Sequence, residues 1–376
     1  MNFELDDEQA LVAQTIRRFV ERELRTWAAD ADRAGAPPER LLGTGGSGGE
    51  LGFFLDAVPA DAGGVLDGTY SHTLRALRGL ELGRGCAGLA ALLETNVEPA
   101  LAVGRWGTAA AQASLFGSLA GGGLATLAHD SRGTLDLTDA GDAGDAGDAG
   151  DAGGDVRLDG AVGPVPALAT ASHVVIATRT HLLLVPTSAL TITPCTPSGW
   201  RAAQWATATL EAVRVPADFV LSRDPVAVET VLAWARISLA ARAVGVATAA
   251  MEYAAAYAAD RVQFGVPIGT FESLVRLRDD ATTTTLAARL LVLHAATELD
   301  RAAPPSARAL DLASRARVLA GDVVARATID AVQIFGGYGF VNDYPVEKLM
   351  RDARAFEALH GDERLGRVLR AAGKER

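Results

Sequence analysis

Cysteine is nearly absent from this 376-residue sequence. Cys86 and Cys195 are the only two, too few for a disulfide framework, and nothing about their placing reads as a metal site. Aromatic residues make up only 6%, so the interior must rest on small aliphatic side chains, alanine above all, which suits close-packed helices. Positive charge is in deficit: 35 Lys and Arg face 46 Asp and Glu, for a net charge of −11. Phosphate contacts need clustered cations, so a nucleic-acid partner is excluded. No apolar stretch is free of charge; Arg236, Arg242 and Glu252 interrupt the longest one at helical spacing, so none reads as a membrane span. The first residues, MNFELDDEQ, are acidic and polar and do not read as a secretory signal. His72, His129, His173, His181 and His294 show no ligand spacing. The expectation is a cytoplasmic globular protein of about two or three domain-sized units.

Three regions follow along the chain. Residues 1–123 read as an N-terminal α-helical domain. Leu5, Leu11, Ile16, Phe19 and Val20 recur at helical spacing, with Asp6 or Asp7 as cap. Further helices fall around 69–84 and 91–118, before Gly121–Gly123. Residues 124–221 read as a small antiparallel β-domain, a barrel inserted between helical parts. Its strand-like runs lie at 173–178, 182–186, 190–193 and 212–216. Within it, residues 139–155 repeat Asp, Ala and Gly. Such a tract builds no core and repels itself, so it reads as a solvated, disordered hairpin extension. Calcium is the weaker reading, because the other expected ligands are missing. Residues 222–376 read as a C-terminal four-helix bundle, with helices over 232–261, 271–300, 306–334 and 345–372.

Two segments are more specific than any periodicity. The first is Arg261-Val262-Gln263-Phe264-Gly265-Val266-Pro267-Ile268, followed by Phe271. The second runs from Gln333 through Gly336-Gly337-Tyr338-Gly339-Phe340 into Tyr344-Pro345-Val346-Glu347-Lys348-Leu349-Met350-Arg351-Asp352-Ala353-Arg354. An arginine can grip a pyrophosphate with its bidentate fork, and paired glycines admit a close ligand. Together the segments resemble the two C-terminal signatures of the acyl-CoA dehydrogenase family. Weaker similarities, at 51–64 and 199–221, spread the likeness over nearly the whole chain. The resemblance implies mainly α architecture with a middle β-barrel, and FAD shared at a subunit interface of a tetramer. It also implies an acyl-CoA substrate and an acceptor of the electron-transfer flavoprotein type. By the same resemblance Arg261, Gln263, Phe264, Gln333, Gly336 and Gly337 contact the ADP half of a flavin seated mainly in the neighbouring subunit.

The sequence departs from the family where its own chemistry should lie. The family's glutamate removes an α-proton while the β-hydrogen leaves as hydride to the flavin. His360 stands at that position, followed by Gly361 and Asp362, and the alternative site before Arg236 holds Ala235. Glu357 and Glu363 lie three residues either side of His360 and read as solvated. The segments that line the flavin ring in the family are replaced at 125–133 and 163–167. Contacts to a neighbour's flavin are thus kept while contacts to its own are lost. That pattern resembles the glutamate-lacking subunit of the two-plus-two heterotetrameric dehydrogenases of bacterial steroid side-chain β-oxidation. It implies a non-catalytic partner of a chain that carries the glutamate, acting on a bulky acyl-CoA. Two other readings stand beside it. One is a self-sufficient flavoenzyme with His360 as base. The other is a non-enzymatic scaffold of the same fold.

Overall fold

The computed structural model describes residues 4–43, 45–139 and 154–359. The first helix, α1 (Asp7–Phe19), opens with a capping box: Asp6 accepts from the Gln9 N–H at 2.8 Å and Gln9 accepts from Asp6 at 3.3 Å. A π-helical turn, Val20–Leu24, carries it into α2 (Arg25–Ala34), which stops at Gly35 in the left-handed conformation. A single turn, α3 (Ser47–Glu50), follows. Then come α4 (His72–Gly85), α5 (Ala87–Leu93), α6 (Val97–Trp106) and α7 (Ala109–Ala120). The stretch 91–118, read from sequence as one helix, is therefore broken. Glu94–Asn96 separate α5 from α6, and Thr108 caps α7 by accepting from the Ala111 N–H at 3.2 Å.

The middle region holds eight strands: β1 (Ala125–His129), β2 (Leu135–Asp139), β3 (Val156–Val165), β4 (His173–Ala177), β5 (Leu182–Pro186), β6 (Thr191–Pro194), β7 (Ala206–Val215) and β8 (Val220–Ser222). They form two four-stranded sheets, ordered β1-β4-β5-β8 and β2-β3-β7-β6. This corrects the expected barrel: the sheets stay open to one another, packed through a shared apolar layer that includes Leu158, Val174, Ile176 and Leu210. Nor is the region wholly antiparallel, since β1 pairs parallel to β4. The hairpin ends of β2 and β3 meet at Asp139 and Val156. The Asp/Ala/Gly repeat between them lies, but for its ends, outside the described residues.

The C-terminal bundle starts with α8 (Pro225–Asp260), seven residues before its sequence-read beginning. Asp224 accepts from the Val226 N–H at 2.8 Å, and Pro225 occupies the first turn, where its missing N–H costs nothing. A small hairpin of β9 (Val262–Gln263) and β10 (Val266–Pro267) leads to α9 (Glu272–Asp300), α10 (Ala307–Phe335) and α11 (Val346–Ala355). The helix expected to run to 372 is described only as far as Ala355, with a 3₁₀ turn after it. Although α8 is long and apolar enough to cross a bilayer, 94% of its most apolar window is buried within the protein. It is the axis of the main core, which it builds with Ala240, Val244, Ala247 and their neighbours.

Helices α4 and α8 cross almost backbone to backbone. A Cβ on Gly245 would strike the Leu80 carbonyl oxygen, and one on Gly83 the Arg242 carbonyl. Gly245→Ala is therefore expected to cost about 1–3 kcal/mol or more, because neither backbone can yield without disturbing the core. Chemical denaturation reads this directly; a midpoint equal to the parent's would show that the crossing has slack.

Candidate functional site

Three places bear on the residues singled out in the sequence, and α8 reaches the first and the third of them. Along its first half, Ala235, Leu239 and Arg242 face an inner hollow of about 40 Å³, closed on the other sides by Glu94, Glu98, Trp200 and Leu359, among others. A second hollow, of about 70 Å³, lies where β1 runs out beside β3. His129, Asp130, Ser131 and Arg132 form one wall and Val162–Val165 the other. Leu127 and Leu359 line both hollows, so the two adjoin. At the far end of α8 stands an exposed face built by the two sequence motifs.

The inner hollow is ringed by charge that the sequence reading overlooked. Glu94 is 1% exposed. It accepts from Arg78 Nε at 2.9 Å and Ser238 Oγ at 3.1 Å, with Arg242 Nε 3.9 Å away. Burial alone would raise the Glu94 carboxyl, but Arg78, Arg75 and Arg242 together hold it below the usual carboxylate range. Arg78 also reaches Asp56 at 2.5 Å and the Tyr70 hydroxyl at 3.3 Å. Arg75 stands 2.9 Å from Glu98. For Arg242 the balance goes the other way: burial lowers its pKa and Glu94 only partly offsets that. A signal for this cluster existed in the sequence, because Glu94 and Glu98 interrupt the apolar run of 86–103 and Arg242 that of 232–250.

The outer hollow is formed by the two segments that depart from the family's ring-lining pattern. Asp130 does not point its chemistry into it. Its carboxylate accepts from the Thr134 N–H at 2.8 Å, the Thr134 hydroxyl at 3.0 Å and the Leu135 N–H at 3.2 Å, which pins the turn into β2. Burial, reinforced by Arg236, holds His129 down at about 4, so this imidazole is neutral at physiological pH.

The two motifs meet where the ends of α8 and α10 come together. Tyr257, in the last turn of α8, stacks on Phe335 at 4.2 Å between ring centres, bringing the end of α8 against the end of α10. Arg261 then lies with its guanidinium 5.5 Å over the Tyr338 ring, and it has no carboxylate partner among the described residues. Gln263 and Phe264 sit on the β9–β10 hairpin, where Phe264 takes a left-handed φ of 53° and is 96% exposed. Gln333 is exposed on the last turn of α10, and its carbonyl accepts the Gly336 N–H. Gly336 has φ 58° and ψ −133°, a region that L side chains rarely adopt. A Cβ on Gly337 would meet nothing in this chain, so the space above it is open.

The end of the second motif is structural. Asp352, fully buried, accepts the Trp200 N–H at 2.8 Å and Lys348 at 2.5 Å. Arg351 binds Asp32, Glu347 and the Ser198 carbonyl. These contacts tie α11 to α2 and to the loop before β7. His360, Gly361, Asp362 and Glu363 lie outside the described residues. Glu357 pairs with Arg354 at 2.7 Å. Ala235, which the resemblance sets at the alternative base position, lines the inner hollow with only a methyl group.

Comparison with known proteins agrees with this geometry. Residues 6–123 match the model of the acyl-CoA dehydrogenase N-terminal domain, and residues 225–372 that of the acyl-CoA dehydrogenase C-terminal domain. The probable acyl-CoA dehydrogenase YngJ of Bacillus subtilis (strain 168) is 32% identical over 98% of each chain. An acyl-CoA dehydrogenase of the same organism is 42% identical, but over only 36% of this chain and 34% of its own length. The structure of butyryl-CoA dehydrogenase from Megasphaera elsdenii superposes over 100% of both chains with a TM-score of 0.80 at 26% identity. With both terminal domains matched in order and a relative alike from end to end, this chain belongs to the acyl-CoA dehydrogenase family.

Proposed function

We propose that the chain is a subunit of an FAD-dependent acyl-CoA dehydrogenase that completes the flavin site of a second, catalytic chain in trans. The observation that carries this reading is a contrast within the one molecule. The side chain facing the inner hollow at the α8 base position is that of Ala235, while the Arg261 face is open and lacks an anionic partner among the described residues. On that face Arg261 would hold the pyrophosphate by charge-assisted hydrogen bonds. Gln263 and Gln333 would offer amide contacts, and Gly336 and Gly337 would let the ligand approach the backbone. Phe264 and Phe340, 96% and 73% exposed, supply apolar surface for a second chain to cover. FAD, when bound, supplies the acceptor for the substrate's β-hydride; this chain's part is to bind and orient it. An electron-transfer flavoprotein-type protein would then reoxidise it. An inner hollow of about 40 Å³ cannot admit a sterol side chain, so a bulky acyl group would be handled in the catalytic chain.

One observation favours a second reading, in which His360 is the base of a self-sufficient enzyme. Leu359, the last of the described residues, lines both hollows. Co-expression with a glutamate-bearing dehydrogenase chain separates the two. The trans reading expects about one flavin per two chains in the complex. It expects Arg261→Ala to weaken FAD by about 1.5–3 kcal/mol and His360→Ala to leave turnover unchanged. A full flavin complement on the lone chain, or a loss of about 100-fold or more on His360→Ala at normal flavin content, would replace it with the histidine-base reading.

A further inference from the structure

Three serines and a histidine form a hydrogen-bonded chain at the seam between the N-terminal helices and the middle region. Ser114 and Ser118 lie one turn apart on α7; His173 opens β4, with Ser172 just before it. Ser114 Oγ stands 3.0 Å from His173 Nε2, and Ser172 Oγ stands 3.0 Å from His173 Nδ1. Ser172 Oγ also lies 2.7 Å from Ser118 Oγ and 3.0 Å from the Leu124 carbonyl oxygen. His173 is 8% exposed, while Ser114 is partly open to solvent. As a tie between α7 and β4 the Ser118–Ser172 pair would suffice, so the bond from Ser114 to the imidazole calls for another account.

The Leu124 carbonyl decides which way the protons run. It can only accept, so the Ser172 hydroxyl donates to it; otherwise two oxygens would face each other with no proton between them. That hydroxyl has one proton, so Ser172 accepts from both Ser118 and His173. The imidazole therefore carries its hydrogen on Nδ1, and Nε2 accepts from the Ser114 hydroxyl. Burial lowers His173 from its ordinary 6.5, which leaves the ring neutral at physiological pH. A hydroxyl bonded to a neutral base that a third group orients is the arrangement of an activated nucleophile.

The place is separate from both hollows. His173 pairs with Ala125 at the start of β1, whereas His129, which lines the outer hollow, ends that strand. Four strand residues set the two about 13 Å apart. Beside Ser114 there is room: Ala113 is exposed, and a Cβ on Gly117, in the next turn of α7, would meet nothing.

We propose that Ser114 is an acylation site, with His173 as its general base and Ser172 as the positioning residue, and that the acyl donor is a thioester. Thioesters are what this family handles. Ser114 Oγ attacks the thioester carbonyl carbon as its proton passes to His173 Nε2. The carbon–sulfur bond breaks as the ester carbon–oxygen bond forms, and the departing thiolate takes the proton from His173 and leaves as a thiol. The N–H groups of Gly121, Gly122 and Gly123, at the end of α7, are bound to the carbonyls of Gly117, Leu119 and Ser118, so they offer no cradle for an oxyanion. Transfer thus runs on the serine and histidine alone, and the ester, once formed, persists. The site is one of modification and not of turnover. It involves neither the flavin nor the chain that supplies the dehydrogenation base, so it stands or falls apart from the trans reading.

Incubation of the full chain, or of its complex, with acetyl-CoA tests this, with p-nitrophenyl acetate as the faster donor for rates. Peptide mass mapping is expected to find the acetyl group on Ser114 with both donors, and the aryl ester to give a single stoichiometric burst. Ser114→Ala should abolish the burst. His173→Gln should slow it by about 100-fold or more. Imidazole nitrogen NMR should place the His173 hydrogen on Nδ1, and Ser172→Ala should move it toward Nε2; this readout serves if His173→Gln fails to fold. Acetyl groups on Lys348 or other side chains but not on Ser114 would overturn the proposal. So would an unchanged rate in His173→Gln, or a parent imidazole with its hydrogen on Nε2. Acetylation of Ser114 by the aryl ester but not by acetyl-CoA would overturn the thioester as donor.

Discussion

Glu94→Ala is expected to cost about 3–5 kcal/mol, because removing one partner of a buried charge cluster strands the others. Glu94 is where three helices exchange charge: Arg78 comes from α4, Ser238 and Arg242 from α8, and Glu94 itself ends α5. Without it Arg78 keeps Asp56, but its Nε–H loses its acceptor. Arg242 then loses the stronger of the two carboxylates that offset its burial, leaving Glu98. Glu94→Gln should be markedly milder, since it keeps an acceptor oxygen. Urea denaturation at neutral pH measures both; a loss below about 1 kcal/mol for the alanine variant would mean that water enters the cluster and solvates it. Because the Glu94 pKa is depressed in the folded protein, its contribution is present above the ordinary carboxylate range and fades as pH falls through it.

Acid should destabilise the protein well before the carboxylates titrate. His72 stacks on Trp234 and meets Tyr70 edge-on, each 5.6 Å away between ring centres, and its Nδ1 is buried without a partner. Burial, aided by Arg75, holds it down at about 3 from an ordinary 6.5. Between those two values the unfolded chain takes up a proton that the folded one refuses. Stability is therefore undiminished above about pH 6.5 and falls below it by about 1.4 kcal/mol per pH unit, on the order of 5 kcal/mol in all. His129, held at about 4, adds to the fall in the upper part of the same window. Denaturation midpoints measured from pH 8 to pH 4 should bend downward near 6.5. In His72→Phe, which keeps an aromatic ring between Tyr70 and Trp234, the bend should be shallower. An unchanged profile would show that His72 is protonated in the folded protein.

The sequence was most legible where local chemistry dictates structure. Asp6 marks the start of α1 because capping depends on neighbours in the chain, whereas the same kind of signal at Asp224 and Pro225 was passed over and α8 was begun seven residues late. The Arg261 and Gly336 segments could be placed together only through their resemblance to a family, since 75 residues separate them. The middle region was the least legible. β1, β2 and β3 escaped notice because Ala, Gly and Asp dilute their apolar alternation, and nothing local tells an open pair of sheets from a closed barrel. The charged ring of the inner hollow was missed for another reason. A single Glu or Arg in a helical pattern ordinarily reads as a surface residue, and its burial appears only once a distant helix supplies the counter-charge. Arg78 and Glu94 are 16 residues apart, and Ser238 is 144 beyond Glu94.

Helix α8 bears Ala235 and Arg242 at the inner hollow and hands the chain to Arg261 at its other end without a break between Pro225 and Asp260. A continuous helix fixes an angle as well as a length: each residue advances the axis by about 1.5 Å and turns it by about 100°. Inserting one residue between Arg242 and Tyr257 would barely lengthen the protein, yet it would swing the Arg261 face about a quarter-turn away from the partner it is to meet. Only additions close to whole turns, such as seven residues, would restore the phase. This stretch of sequence is therefore open to changes of side chain but closed to changes of length.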